Sequence, residues 1–237
     1  MYSEQAKKLI KDLFESSFNK ENYVKFILNL LNLKHEDMNT VKGPWQGNMI
    51  PDAFQDYISK YERIAKYISG NDRIDILIVY LKKQTSIEHT RRIQRNFVGG
   101  YLNGKYGSDT LKDAALVAYV SPDSKDWRFS LVKMDYHIKE TSSGKTKVKE
   151  DITPAKRWSF LVGENEKSHT AQSRFVCILE KDDFMPTLGD LEQAFDIEVV
   201  TKEFFQEYRN LFIRTKLELD KILKNSQKVR QEFENKN

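Results

Sequence analysis

The sequence predicts an α/β (α+β) fold in which a mixed central sheet is flanked by helices, with a helical hairpin at the amino end and a long helix at the carboxy end. Three observations carry this. Residues 60–101 read as two strands joined by a turn at Gly70-Asn71 and followed at once by a basic helix. Within them, Ile74 to Leu81 is a nearly unbroken apolar, β-branched run, the pattern of a strand buried on both faces. Further on, Ala114 to Val120 and Trp127 to Tyr136 supply two more strands, and the order strand, strand, helix, strand, strand calls for one mixed sheet with helices against it.

The flanking elements follow in chain order. Leu9, Ile10, Leu13 and Phe14 fall at helical spacing over Ser3 to Phe18, with Ser3 as the N-cap, and Asn19 opens a second helix through Tyr23, Phe26, Ile27, Leu30 and Leu31. Lys34 to Pro51 has no period and contains Gly43-Pro44, so it reads as a loop. Ala53 to Ile58 reads as a short helix. The basic helix spans Ser86 to about Leu102 with Ile87, Ile93, Phe97 and Tyr101 inward, and Ser121 to Ser124 is a turn between strands. Ser142 to Gly144 is another turn, with Lys145 to Val148 as an edge strand, whereas Pro154 to Gln172 reads as a structured loop with short helical turns. Leu188 to Ala194 is helical. From Thr201, Phe205, Tyr208, Phe212, Thr215, Leu219, Ile222, Ser226, Val229 and Phe233 repeat at the heptad period of a helix packed along a neighbour.

A chain of 237 residues with 39% apolar, 31% charged and 12% aromatic residues can bury a sizeable core, in one large domain or two small ones. We expect an α/β domain over 1–200 and a connector helix over 201–237. The single Cys177 excludes an internal disulfide and a multi-cysteine zinc site and suits a reducing cytoplasm. No apolar run approaches the roughly 20 residues of a membrane span, and the start lacks a signal-peptide core, so a cytoplasmic protein with no membrane partner is expected. The net charge of +4 is mild, but its distribution is uneven. Lys82, Lys83, Arg91, Arg92, Arg95 and Lys105 crowd one segment against the acid Glu88, while acids gather between Glu180 and Glu198.

The chemistry-bearing residues lie in the same segment. Glu62, Asp75, Lys82 and Lys83 are spread along two paired strands, a unit that can hold a metal ion and a phosphate; strand ends reaching solvent are the plain alternative. Arg91, Arg92 and Arg95 fall largely off the inner face of the basic helix, where they would contact phosphates or form a solvated face with Glu88. His137 and His169 lack ligand-spaced partners, which argues against zinc, and Ser168-His169 lacks a nucleophile elbow.

The phrases DAALVAYVSPDSKDWRFSLVKMDY, TPAKRWSFLVG and SHTAQSRF, together with YERIAKYISGNDRIDILIVYLKK, QRNF and VTKEFFQEYRNLF, resemble the amino-terminal region of type IIG restriction enzymes, which fuse a nuclease to an adenine-specific DNA methyltransferase. The resemblance extends from about Lys60 to Phe212. It implies a restriction–modification enzyme acting in phage defence, whose front module has a PD-(D/E)xK nuclease-like core and hydrolyses phosphodiester bonds of double-stranded DNA with Mg²⁺. The sequence contains no Asn-Pro-Pro-Tyr motif or glycine-rich loop for S-adenosylmethionine, so that cofactor, the methyltransferase and the target-recognition domain are expected outside this chain. By the resemblance, Asp75 and Glu62 would ligate the metal, Lys82 or Lys83 would be the catalytic lysine, and Gln94 would position water or contact that lysine. Arg91, Arg92, Arg95 and Lys105 would bind DNA.

The sequence departs from the nuclease motif at Tyr80 and Leu81, where an acid or glutamine is expected before the lysine, and alternation puts Asp75 and Lys83 on one face and Lys82 on the other. Pro51-Asp52 and Pro122-Asp123 are literal Pro-Asp pairs that read as turns, with Leu131 in place of the acid before Lys133. The alternative function is therefore a non-catalytic DNA-binding or docking module of the same enzyme. A third reading is an interaction adaptor built on the heptad helix.

Overall fold

Two apolar runs become the centre of a five-stranded sheet. In the computed structural model, which describes residues 2–38, 50–105, 110–134, 137–140, 146–149, 155–196 and 198–225, the main-chain pattern assigns strands β1 (Ile58–Ser69), β2 (Asp72–Leu81), β3 (Ala114–Val120), β4 (Asp126–Met134), β5 (His137–Glu140), β6 (Thr146–Lys149) and β7 (Ala155–Gly163). The described helices are α1 (Ser3–Phe14), α2 (Lys20–Leu30), α3 (Asp52–Gln55), α4 (Arg91–Leu102), α5 (His169–Leu179), α6 (Leu188–Phe195) and α7 (Glu198–Asn225). The main sheet has the order β1-β2-β3-β4-β7. Only the β2–β3 pair is parallel, so the sheet is mixed, as expected.

Local chemistry accounts for most boundaries. β1 and β2 form a hairpin whose turn places Gly70 at φ +60°, where a side chain would be strained. β2 and β3 run parallel and need a crossover, which α4 supplies. Asn19 caps α2 by accepting a 3.0 Å bond from the Asn22 amide.

The structure revises several expectations. α1 is capped by Tyr2 with no side-chain bond, and Ser3 is already helical. α4 begins at Arg91 because Ser86 to Thr90 is a turn, in which the Thr90 hydroxyl bonds the Ser86 carbonyl at 2.6 Å. The stretch expected to be a loop from Pro154 contains β7, an edge strand whose Trp158, Phe160 and Val162 alternate with Arg157, Ser159 and Leu161 against β4. The expected edge strand at Lys145 is β6, which pairs with β5 in a separate two-stranded ribbon. Gly43-Pro44, the turn at Ser142 to Gly144 and the last heptad positions Ser226, Val229 and Phe233 lie outside the described residues.

The chain divides into two units, Met1–Phe195 and Asp196–Asn237. In the first, α1, α2, α5 and α6 cover one face of the sheet. Their centre is Phe129, whose ring lies 5.6 Å from Phe14, 5.7 Å from Phe26, 5.8 Å from Phe175 and 5.0 Å from Phe195. α4 covers the opposite face, where Phe97 packs on Tyr61 at 5.4 Å. In the second unit, α7 exposes Phe205, Tyr208, Phe212, Leu219 and Ile222 of the heptad seam together with Phe204 and Leu211. Among the described residues no helix is long and apolar enough to cross a membrane.

Truncating Phe129 removes the ring on which four elements converge. Phe129→Ala should destabilise the first unit by about 3–5 kcal/mol, read as a lowered midpoint of urea unfolding followed by Trp127 fluorescence. A change under about 1 kcal/mol would mean that the aromatic cluster does not hold the helices to the sheet.

Candidate functional site

The register of the β1–β2 hairpin decides what the two acids can do. Glu62 pairs with Ile78 and Lys66 with Asp75, and a bulge between Arg63 and Ala65 shifts the register between them. The Glu62 side chain emerges on the α2 side, where it binds Lys20 and, at 3.1 Å, Lys60. Burial pushes its carboxyl up, but the two lysines outweigh this and leave it below the usual carboxylate range. Asp75 emerges on the α4 side. It is 1% exposed, and its Oδ2 accepts a 2.7 Å bond from the Tyr101 hydroxyl with the Arg63 guanidinium at 3.8 Å.

The two carboxylates thus lie on opposite faces and cannot share one ion. Among the described residues no group of three or more His, Cys, Asp or Glu could hold a metal. The expected Mg²⁺ ligand pair does not fit the geometry. Lys82 and Lys83 are exposed beyond the last residue of β2, roughly 23–26 Å along the strand from Asp75 at about 3.3 Å per residue. Lys83 is past the strand end, so alternation no longer governs its face. The structure brings neither lysine to either acid.

Burial raises the Asp75 carboxyl, against the opposing pull of Tyr101, Lys112, Arg63 and Lys66. Burial also raises the Tyr101 hydroxyl, helped by Asp75, and lowers the Lys112 ammonium despite the attraction of Asp75. All three shifts have burial as their largest cause, so desolvation dominates pairing in this cluster.

The basic residues assemble differently. Gln94, 0% exposed, donates to the Ile87 carbonyl at 2.9 Å and the Thr90 hydroxyl at 3.0 Å, and its Oε1 accepts a 3.1 Å bond from Arg157. Its backbone carbonyl accepts from the Tyr119 hydroxyl at 3.1 Å. Gln94 is therefore an anchor for Arg157, and among the described residues it makes no hydrogen bond to Lys82 or Lys83. Arg91 and Arg92 are exposed, Arg95 is half-buried, and among the described residues none of the three is in an ion pair. Lys105 lies past the other end of α4, away from Arg91 by about 1.5 Å per helical residue.

The sequence reading missed the residues facing these arginines. β4 carries Arg128-Phe129-Ser130 and its antiparallel neighbour β7 carries Arg157-Trp158-Ser159; Ser130 stands opposite Ser159, and the arginines fall diagonally to either side. All four point to the α4 side, because Phe129, Trp158 and Phe160 take the other. Arg128 is 3% exposed and donates through Nη1 to Ser159 Oγ at 3.1 Å, while its Nε and Nη2 and the Ser130 Oγ have no hydrogen-bond partner among the described residues. Among the described residues no carboxylate forms a salt bridge with it.

Burial lowers the Arg128 guanidinium to about 10, with Arg157 and Arg91 adding repulsion and Glu88 and Tyr119 opposing it. Arg157 is lowered by burial first, and then by Arg91 and Arg95 against Tyr119. Both groups stay charged at neutral pH. The result is a basic cluster where α4 packs on β4 and β7, bounded at one end where Gly99 approaches Ala155 so closely that a Cβ would sit 2.9 Å from it. Beyond Leu161 lies a cleft of about 360 Å³ lined in part by Ser86, Glu88, Ser121 and Asp123. Alternating Arg and Ser between aromatics in DWRFS and KRWSF was the available signal; reading the second as a loop concealed it.

No family model matches the chain, and neither a curated protein nor a solved structure matches it.

Asp75 has a raised carboxyl, so the stability it contributes is full below the ordinary carboxylate pKa and is lost as pH rises through its higher folded value. Relative to Asp75→Asn, the wild type should lose unfolding free energy from about pH 4 upward, measured by urea unfolding across pH 4 to 8. A constant difference would show that burial does not dominate the site.

Proposed function

We propose that this chain is a double-stranded-DNA-binding module of a restriction–modification enzyme similar to the type IIG kind, and that it works by gripping the phosphate backbone. The observation that carries the reading is the basic cluster where α4 meets β4 and β7. Arg91 and Arg95 from the helix and Arg128 and Arg157 from the sheet gather there, with Glu88 as the acid that acts on Arg128. Four neighbouring cations, with Arg91 exposed and Arg95 and Arg157 half-buried, suit a strand of phosphates. The partial positive charge of the helix amino terminus adds to it. The choice of duplex DNA and of the enzyme class rests on the resemblance of residues 60–212; the methyltransferase and target-recognition domains would be the partners.

A second reading is a Mg²⁺-dependent endonuclease. It is favoured by the mixed sheet flanked by helices and by Asp75, a buried acid on the same face and in the same row as Arg157. Because Glu62 and both lysines stand elsewhere, that reading needs ligands other than those the motif names. Asp75→Asn abolishing cleavage of plasmid DNA by the purified chain would establish it, and intact plasmid in Mg²⁺ or Mn²⁺ would oppose it.

The binding reading predicts that duplex affinity falls with salt along a linear log–log plot. Arg91→Gln with Arg95→Gln should reduce the slope by about 2, since each phosphate contact contributes about 0.9. Fluorescence anisotropy of a labelled duplex between low and moderate salt measures this. An unchanged slope would remove α4 from the interface, and no salt-dependent binding at all would overturn the reading.

A further inference from the structure

We propose that the basic cluster under the edge of α4 is a receptor for a single phosphoryl group, held side-on by Arg128 with Ser130 beside it and the Arg157 and Arg95 cations near. The inference deepens the DNA-binding reading and rests on it for the source of the phosphoryl group, though not for the site itself.

The geometry of Arg128 is the main argument. Its Nη1 is engaged by Ser159, and the two nitrogens left without a partner are Nε and Nη2. Those two nitrogens form one edge of the guanidinium, and their N–H bonds run parallel at the spacing of two oxygens on one oxyanion. A buried arginine whose bidentate edge has no partner among the described residues is not explained by packing. A cation 3% exposed that no described carboxylate pairs directly, with only the attraction of Glu88 against the repulsion of Arg157 and Arg91, is destabilising and stands placed for an anion.

The surroundings select the anion. A planar carboxylate would occupy the Arg128 edge alone. Ser130, whose hydroxyl also lacks a partner among the described residues, adds a donor from the next inward position of β4. Arg157, fixed by Gln94 through Nη1, adds a cation from the edge strand, and Arg95, whose Nε and Nη2 donate to Asn96 Oδ1 at 3.3 and 3.2 Å, adds its charge from the helix. Donors from three elements fit a tetrahedral group, and the number of cations fits one carrying one or two negative charges. An internal phosphodiester and a free or terminal phosphate share this chemistry.

The same geometry makes a prediction about Arg128 itself. If it were a structural strut, removing it would weaken the fold. If it is an anion receptor, Arg128→Met removes an unpaired buried charge, keeps most of the volume, and should leave Tm in chloride buffer unchanged or raise it.

The experiment is a thermal-denaturation titration of the full chain with inorganic phosphate from chloride buffer, on wild type, Arg128→Met and Arg157→Gln, alongside duplex-DNA anisotropy on the same three proteins. Saturable stabilisation of the wild type at millimolar phosphate, lost in Arg128→Met and reduced in Arg157→Gln, is the expected result. Duplex affinity should fall about tenfold in Arg128→Met, the effect of losing one charge-assisted bidentate contact, and free phosphate should compete with the duplex. If phosphate saturates the site but no duplex binds, the receptor stands and the DNA reading falls, leaving a free or terminal phosphate as ligand. If the duplex binds Arg128→Met as tightly as wild type while the α4 variants lose it, the receptor falls and the DNA reading stands. Equal stabilisation of all three proteins by phosphate, or a lowered Tm of Arg128→Met without any phosphate effect on wild type, would overturn the proposal.

Discussion

One short helix has to cover a five-stranded face, and the chemistry of this chain follows from that mismatch. α4 runs along the strands, from Arg91 near Arg128 to Gly99 at Ala155, so a helix roughly 10 Å across faces a sheet four spacings of about 4.8 Å wide. On the other face four helices bury a continuous aromatic cluster around Phe129. On the α4 face the helix packs against β3, β4 and β7. The positions of β4 and β7 that face it include Arg128, Ser130, Arg157 and Ser159; Arg128 and Ser130 are buried under it, while Arg157 and Ser159 on the edge strand stay half-buried.

The same face holds two charge clusters with opposite solutions. Asp75 is satisfied by Tyr101, with Arg63 and Lys112 near, and its raised carboxyl reports the burial it endures. That is the behaviour of a polar cluster that pairs its carboxylate internally, although the neighbouring Tyr61 hydroxyl has no hydrogen-bond partner among the described residues. Among the described residues Arg128 and Arg157 pair with no carboxylate and donate instead to the Ser159 and Gln94 oxygens. A cluster that pairs its own charge specifies the fold; one that does not invites a ligand. α4 links the two, with Tyr101 near its carboxy end over Asp75 and Arg91 and Gln94 near its amino end by the arginine cluster.

How much of this was legible in the sequence depended on whether one local pattern decided the outcome. Ala114 to Val120 appears in the structure with the boundaries read from the sequence, since a run of seven apolar residues between turns has few alternatives. The hairpin at Gly70 and the Asn19 cap were equally plain. β7 was not, because Arg157, Ser159 and their neighbours alternate polar with aromatic, a strand pattern that was outweighed by the polar residues following it. The face of Glu62 could not be read either. A bulge between Arg63 and Ala65 inverts the count of alternation that would have joined it to Asp75. Both failures are non-local, one of sheet membership and one of register.

The same limit explains why the arginine cluster emerged only from the fold. Arg128 and Arg157 are separated by a strand end, the β5–β6 ribbon and residues outside the described set, and nothing in either local sequence announces the other. The antiparallel register sets Ser130 against Ser159 and turns two ordinary Arg-x-Ser words into one cluster with a rough two-fold arrangement. A sheet can hold such an uncompensated pair of cations because its other face is so heavily packed. Phe129 and Phe160, on the strands that carry the arginines, belong to the aromatic cluster, so the stability that burying two guanidinium groups removes is supplied directly behind them. Strain of this kind persists only where the surrounding structure over-determines it. The alternation of β4 and β7, aromatic toward the α1, α2, α5 and α6 face and arginine toward the α4 face, meets that condition within a single strand pair.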